Sequence, residues 1–394
     1  MKLIYLDYAA AAPTDPAVRR EMNRAMVLVG NPSSFNDAGR QAQQALAQAR
    51  KIVADFLGAR LDEIVFTASG SEANNLAIIG TCGNFSSGKI LTTPIEHPSV
   101  LEPIAQLKAL KTGYLKIDQS GAVDLKALEQ AIKKDCRLIS IMYANNEIGT
   151  LEPIRAIAKI IKSFNKKLET ENWKLKTGET RPVLFHIDAC QAAGYLDMNV
   201  QHLGVDLLTF NGSKIGGPRG VGVLYVRRGT PIHSIISGGG QERGLRAGTE
   251  NLQAIVGLAK AVSILKPTDS KKIAAVRDYA IELLRKEIPG IILNGPTGDG
   301  RLPNNINICV PDLESEVILI ELDKYGIAAG SGSACTSHAV EPSHVLKAIG
   351  VPKRYINGAL RFSIGKETTK KDMDYLVASL KKIIPDLRKR YRIN

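Results

Sequence analysis

The hydrophobic pattern of this chain predicts an α/β fold, a mainly parallel sheet flanked by helices, with a smaller α+β domain attached. Two observations carry that prediction. Between Glu63 and Asp188, short apolar runs alternate with helical stretches: Glu63–Thr67 then Ser71–Cys82, Lys89–Thr92 then Pro98–Lys111, Tyr114–Ile117 then Asp124–Lys134, Arg137–Tyr143 then Ile154–Phe164, and finally Val183–Asp188. Strands that alternate with helices pair in parallel through crossovers on both faces of a sheet. Past the break at Pro267 the pattern changes to helix, strand, helix, strand, helix, with Asn305–Val310, Glu314–Tyr325, Leu360–Ile364 and Thr369–Lys389 as its later members.

The remaining elements follow in order. A short first strand runs into the turn Pro13–Thr14–Asp15–Pro16, a helix, the loop Gly30–Phe35 and a helical stretch at Asp37–Leu57. Between Asn165 and Pro182, the polar run KKLETENWKLKTGETR carries the sole tryptophan, Trp173, and reads as a surface hairpin or loop insertion. Asp206–Val226, DLLTFNGSKIGGPRGVGVLYV, reads as two strands, Leu207–Phe210 and Val221–Val226, around a polar turn that holds Lys214. A helix from Asn251 to Lys266, then a second to Lys286, leads into the smaller domain.

Composition bounds the class. The chain has 394 residues, 44% apolar and 23% charged, which is ordinary for a globular protein of more than one domain. No apolar run is long enough to cross a bilayer and MKLIYLDYAAAAP lacks the regions of a signal peptide, so a cytoplasmic location is expected. Five cysteines stand without CxxC pairing, which argues against a disulfide framework; Cys82, Cys136, Cys190 and Cys309 read as inert core thiols and Cys335 does not. The net charge of +13 gathers in KKIIPDLRKRYRIN and at Lys166–Lys176, without the stacking aromatics of an RNA-binding module. That charge reads as a solvated surface or a docking patch, not as a direct nucleic-acid site.

Chemistry-bearing residues fall at the expected carboxyl ends of strands, where ligands of such sheets gather. Lys214, among Asn211, Gly212, Ser213, Gly216 and Gly217, is either an exposed turn lysine or a desolvated Schiff-base nucleophile. In TASGSEANN, Ser71 with Glu72 either only caps a helix, or Gly70 and Ser71 present N–H groups and a hydroxyl to a phosphate. Asp188 in HIDACQ is a buried structural carboxylate or the partner of a protonated ring nitrogen, with Gln191 in reach of the same ligand. Asn145 and Asn146 in YANNEIG fix a loop or bind a ligand. His97, before a helix, is a satisfied structural residue or stacks on a cofactor and shuttles protons. Cys335, in the Gly/Ser-rich AAGSGSACTS, is a passive thiol or a nucleophile once thiolate is favoured. Arg361, in LRFSIG, makes an ordinary salt bridge or grips a carboxylate.

From YLDYAAAAP to LRFSIG, the order and spacing of these motifs resemble the cysteine desulfurases of the aspartate-aminotransferase-like, pyridoxal-phosphate fold. The resemblance implies a seven-stranded sheet in a large cofactor domain of residues 14–255 and a small domain from residues 1–13 and 256–394 that carries the Cys335 loop. It implies that Lys214 holds pyridoxal phosphate and Asp188 pairs with the pyridine nitrogen. Gln191 and Asn146 contact the ring, His97 stacks on it and moves protons, and Gly70, Ser71 and Ser213 take the phosphate. Thr249, in GGGQERGLRAGTEN, would reach the phosphate of a neighbouring subunit, which implies a homodimer. Arg361 and Asn31 would hold the substrate, L-cysteine, which displaces Lys214; Cys335 then takes the sulfur as a persulfide and L-alanine leaves. The Cys335 loop resembles the longer-loop group, whose members pass sulfur to an iron–sulfur scaffold or, in tRNA thiolation, to another acceptor. There Cys335 would serve as a transient iron–sulfur ligand in a complex, with no stand-alone metal site. Two departures from the family pattern, Ser213 where His is frequent and Gly216 where a larger residue is common, bear on the phosphate contacts. The rival readings are a selenocysteine lyase or aminotransferase of the same fold, and a catalytically silent scaffold that binds partners.

Overall fold

A computed structural model describes residues 3–170, 182–332 and 342–393. In chain order its strands are β1 (Ile4–Tyr5), β2 (Ile64–Thr67), β3 (Lys89–Thr92), β4 (Lys111–Tyr114), β5 (Cys136–Met142), β6 (Leu184–Asp188), β7 (Leu207–Asn211), β8 (Gly222–Val226), β9 (Ile292–Leu293), β10 (Asn305–Cys309), β11 (Ile327–Ala328) and β12 (Ala359–Ser363). The first seven helices are α1 (Pro16–Ala25), α2 (Asp37–Leu57), α3 (Gly70–Cys82), α4 (Pro98–Gln106), α5 (Leu125–Ala131), α6 (Ile154–Thr170) and α7 (Val200–Leu203). Then come α8 (Leu252–Ser263), α9 (Pro267–Glu287), α10 (Ser315–Lys324), α11 (His344–Ala348), α12 (Lys353–Ile356) and α13 (Lys370–Tyr391).

Local chemistry sets many of these boundaries. Asn36 caps α2 by accepting from the Gly39 N–H, and Gly58, at φ +61°, ends it in the left-handed conformation that a residue without Cβ adopts cheaply. Ala42, Leu46, Ala49, Val53 and Leu57, at helical spacing, turn one face of α2 into the core. Interior strands β6 and β8 are buried along their whole length, as strands covered on both faces must be, and so is the edge strand β2.

Seven strands form the central sheet in the order β2-β8-β7-β6-β5-β3-β4. Strand β8 runs antiparallel to both its neighbours, β2 and β7, while the other pairs are parallel. Six strands therefore end at the same edge, and the loops after β2, β3, β5, β6 and β7 converge there. A second core gathers Leu6 from the N-terminus, α9, α10, α13 and the antiparallel sheet β12-β10-β9. Helix α8 packs on α1 and α2 and contributes Leu258 and Val262 to the larger core.

Two expectations shift. The helix expected over 98–111 ends at Gln106, and residues 111–114 form edge strand β4 beside β3, in the register Lys89↔Lys111. Without β4, the outer backbone groups of β3 would lack partners, a demand that helical periodicity does not report. Helix α6 runs past Phe164 to Thr170 because its apolar stripe continues from Ile161 to Leu168. The 171–181 part of the expected insertion, Trp173 included, lies outside the described residues.

Candidate active site

At the carboxyl edge of the sheet lies a cavity of about 420 Å³ lined by Gly70, Ser71, His97, Asn146, Asp188, Gln191, Ser213, Lys214 and Arg361, nine of the residues singled out from sequence. The turn after β7 presents Lys214, whose Nζ donates to the carbonyls of Ala9 at 2.7 Å and Ala10 at 2.6 Å. Those carbonyls belong to the YLDYAAAAP segment, and Gln191 Nε2 donates to Ala9 O as well, at 3.0 Å. Gly216 has φ +73°, a left-handed backbone that glycine adopts without strain, so a larger residue would be strained in this turn.

The N-terminus of α3 forms another wall. Ser69, not Ser71, caps this helix by accepting from the Glu72 N–H, and Ser71 is left at the cavity. A Cβ on Gly70 would lie 2.7 Å from Cys190 Sγ and 2.9 Å from Asn211 Nδ2, so close packing requires glycine here. Backbone N–H groups at a helix start, aimed into a cavity, suit an anion such as a phosphate.

Asp188 ends β6 and is 6% exposed. Its Oδ1 accepts from the Cys190 N–H at 2.9 Å and its Oδ2 from Asn74 Nδ2 at 2.8 Å. A buried carboxylate in reach of a ligand suits a protonated ring nitrogen. Cys190, expected in the core, also lines the cavity; burial pushes its thiol well above the usual range, which keeps it protonated and unreactive.

The two asparagines after β5 divide the two readings between them. Asn145 fixes the loop, donating to Ile95 O and accepting from the N–H groups of Glu147 and Ile148, while Asn146 lines the cavity. His97 caps α4 through its Nδ1, and burial holds its pKa below the ordinary value.

Arg361, from β12, reaches the cavity from the second core and is 2% exposed. Its Nη2 pairs with Asp7 Oδ1 at 2.9 Å, its Nη1 donates to Asn146 O at 3.1 Å, and its buried Nε has no partner among the described residues. It is thus both an ion-paired residue and a cation at the cavity wall. Cys335 lies outside the described residues, but the chain on either side of 333–341 reaches this wall. Arg361 Nη1 donates to Gly332 O at 3.4 Å, and Ser343 Oγ donates to Glu147 Oε2 at 2.6 Å. Burial raises the Glu147 carboxyl above its usual range, against the opposing pull of Ser343, His344 and Arg361.

Asn31 and Thr249 are exposed and stand away from this cavity within the single chain. Sequence reasoning missed Asn74, Ser99, Glu147 and the Ala9 and Ala10 carbonyls. Asn74 and Glu147 carried a signal, since both are polar residues inside motifs already marked. The carbonyls carried none, because any residue type supplies them. Among the described residues there is no cluster of metal-ligating side chains, and no helix long and apolar enough to cross a membrane.

The site is thus framed by a seven-stranded sheet with one reversed strand, a lysine in the turn before that strand, and an acid at a neighbouring strand end. The chain belongs to the aminotransferase class-V family, whose model matches residues 4–171 and 173–376. Relatives at 39–43% identity over nearly the whole chain are cysteine desulfurases. It is 43% identical to the cysteine desulfurase IscS of Dictyoglomus turgidum, over 98% of this chain and 95% of that one. It is 42% identical to the IscS of Methanosarcina thermophila, over 98% and 93%. Among solved structures, a NifS-like protein superposes with a TM-score of 0.87 at 33% identity, over 98% of this chain and all of that one. A structure described as SspA in complex with cysteine superposes at 0.78 with 32% identity, over 93% of this chain and all of that one.

Proposed function

We propose that this chain is a pyridoxal-phosphate-dependent cysteine desulfurase that moves the sulfur of L-cysteine onto Cys335 and releases L-alanine. The observation that carries the reading is the convergence of Lys214, Asp188 and the α3 N-terminus on one cavity of about 420 Å³, roomy enough for a cofactor with an amino acid beside it.

The residues present fit pyridoxal phosphate. Lys214 is the amine to bind it, Asp188 the partner for its ring nitrogen, Gly70, Ser71 and Ser213 the phosphate cradle, and Gln191, Asn146 and His97 the surround of the ring. Thr249 would reach the phosphate of a second copy, in a homodimer. When bound, the cofactor supplies an electron sink for charge developing at the substrate's α-carbon. Arg361 holds the substrate carboxylate, a task for which a planar guanidinium is well shaped; Asn31, exposed and away from this cavity in the single chain, would join it only from a second copy. The Lys214 amine would move the proton at the substrate's α-carbon. Cys335 thiolate attacks the substrate sulfur: an S–S bond forms on Cys335 as the substrate C–S bond breaks, and the C–S electron pair stays with the substrate carbon, which takes up a proton to become the methyl group of alanine. The persulfide sulfur then passes to an acceptor thiol, in iron–sulfur cluster assembly, tRNA thiolation or both, with Cys335 a transient cluster ligand in the first. The two cores support a large unit near residues 14–255 and a small one from 1–13 and 256–394, with the end of α8 still packed on the larger. A cytoplasmic location fits this role.

The test is release of alanine and sulfide from L-cysteine under a reductant. Wild type should release both, Lys214→Ala neither, and Cys335→Ala should keep the cofactor's visible absorbance while losing sulfide. Sulfide release that persists without Cys335 would overturn its assignment as sulfur carrier.

A further inference from the structure

Asn74 and Ser99 carry no role in the function proposed above, yet they join Asp188 to His97 by an unbroken hydrogen-bonded path. Asn74, fully buried in α3, donates from Nδ2 to Asp188 Oδ2 at 2.8 Å and to Ser99 Oγ at 2.9 Å. Ser99 is the second residue of α4. Its Oγ lies 2.8 Å from His97 Nδ1, and its backbone N–H donates to the same nitrogen at 3.1 Å.

The direction of each bond follows from what each group can do. An ionised Asp188 only accepts, so Asn74 must face it with its NH₂; the carbonyl there would set two acceptors against each other. The second Asn74 N–H then enters Ser99 Oγ, and the single Ser99 hydroxyl proton is left for His97 Nδ1. The Ser99 backbone N–H cannot lose its proton, and it too points at Nδ1. With two donors aimed at it, Nδ1 has no room for a proton of its own, and a neutral ring then carries its proton on Nε2.

We infer that Asn74 and Ser99 are positioning residues that hold His97 as the neutral Nε2–H tautomer, so that toward cofactor and substrate it is a stacking face and hydrogen-bond donor rather than a proton carrier. The inference deepens the desulfurase reading, which supplies the occupant of the cavity; the tautomer itself depends only on the path just described. Charging the ring would place a proton on Nδ1 opposite two donors, at the loss of the α4 cap. The surroundings point the same way: burial disfavours the charged ring most, and Lys214 and His344 add to this, while Asp188 opposes it. Proton movement at the substrate then falls to Lys214.

The test is two-bond ¹H–¹⁵N spectroscopy of the full chain carrying ring-¹⁵N histidine, with and without pyridoxal phosphate, and with His97→Gln to assign the signal. The expected result is an unprotonated Nδ1 and a protonated Nε2 through neutral pH in both forms. Ser99→Ala should let the Nδ1–H or doubly protonated ring appear, Ser99→Thr should restore the wild-type pattern, and Asn74→Ala should give a smaller shift than Ser99→Ala. A wild-type Nδ1 that carries a proton, or a Ser99→Ala spectrum identical to wild type, would overturn the inference; an unchanged Asn74→Ala spectrum would remove Asn74 from it. The spectra without cofactor separate this from the desulfurase reading, since a chain that released no alanine would leave the tautomer result intact.

Discussion

His97 and His186 both feel the charge of Asp188, and burial lowers the pKa of both, yet only one meets the cavity. His186 stands two residues before Asp188 on β6, so the two side chains share a face of the strand. That position leaves its ring on the sheet face, buried against side chains of the two neighbouring strands. Its Nδ1 lies 2.8 Å from Ser140 Oγ on β5 and its Nε2 3.2 Å from Thr209 Oγ1 on β7, with the side chain fully buried. His97 follows β3 by a short loop that carries its ring past the sheet edge to the ligand side. Residue type and proximity to the acid are alike in the two. What differs is whether the backbone seals the ring against the sheet face or delivers it to the open end of the strands.

The largest effect that could break this comparison is kinetic. His97→Gln should lower alanine release by about 100- to 1000-fold, the cost of losing one preorganised donor, with a denaturation midpoint close to wild type. Comparable activity in the two proteins would make His97 a second structural histidine. The next effect is on stability against pH, read by urea denaturation of the cofactor-free chain. Burial depresses His186 from 6.5 to about 4, so its contribution is complete above pH 6.5 and lost as pH falls toward 4. That loss is on the order of 3 kcal/mol, and His186→Gln should flatten this part of the profile. A slope unchanged by that variant would show that His186 is not buried neutral. The smallest effect sharpens the contrast: Ser140→Ala and Thr209→Val should each cost about 1 kcal/mol of stability and leave alanine release unchanged. Lost turnover from either would tie the sealed histidine to the cavity after all.

Much of the candidate site was legible because its residues sit where a strand pattern stops. Lys214, Asp188, Asn146 and Gly70 each follow a run of apolar residues, and parallel strands must send such stretches to one edge. Finer assignments were not legible. The cap of α3 is Ser69 rather than Ser71, because the extended backbone before the first helical turn falls at Ser69. Cys190 looks like a core thiol in sequence and lines the cavity because it comes just after the strand end marked by Asp188. The end of α4 and the start of β4 were blurred since an amphipathic helix and an edge strand both tolerate the polar run near Lys108 and Lys111.

The sequence by itself determined the alternation of strands and helices, the class of sheet, and the motifs that bear the chemistry, because periodicity and turn chemistry are local and act on a few neighbouring residues. It also determined the family, through motifs spread over nearly the whole chain. Tertiary structure alone decided which polar groups meet. The Ala9 and Ala10 carbonyls are about two hundred residues from the Lys214 Nζ they accept from, and Asn74 on α3 bridges Asp188 of β6 and Ser99 of α4. Hydrogen bonds reach about 3 Å and depend on angle, so they are settled only when strand register and helix packing have fixed every backbone around them.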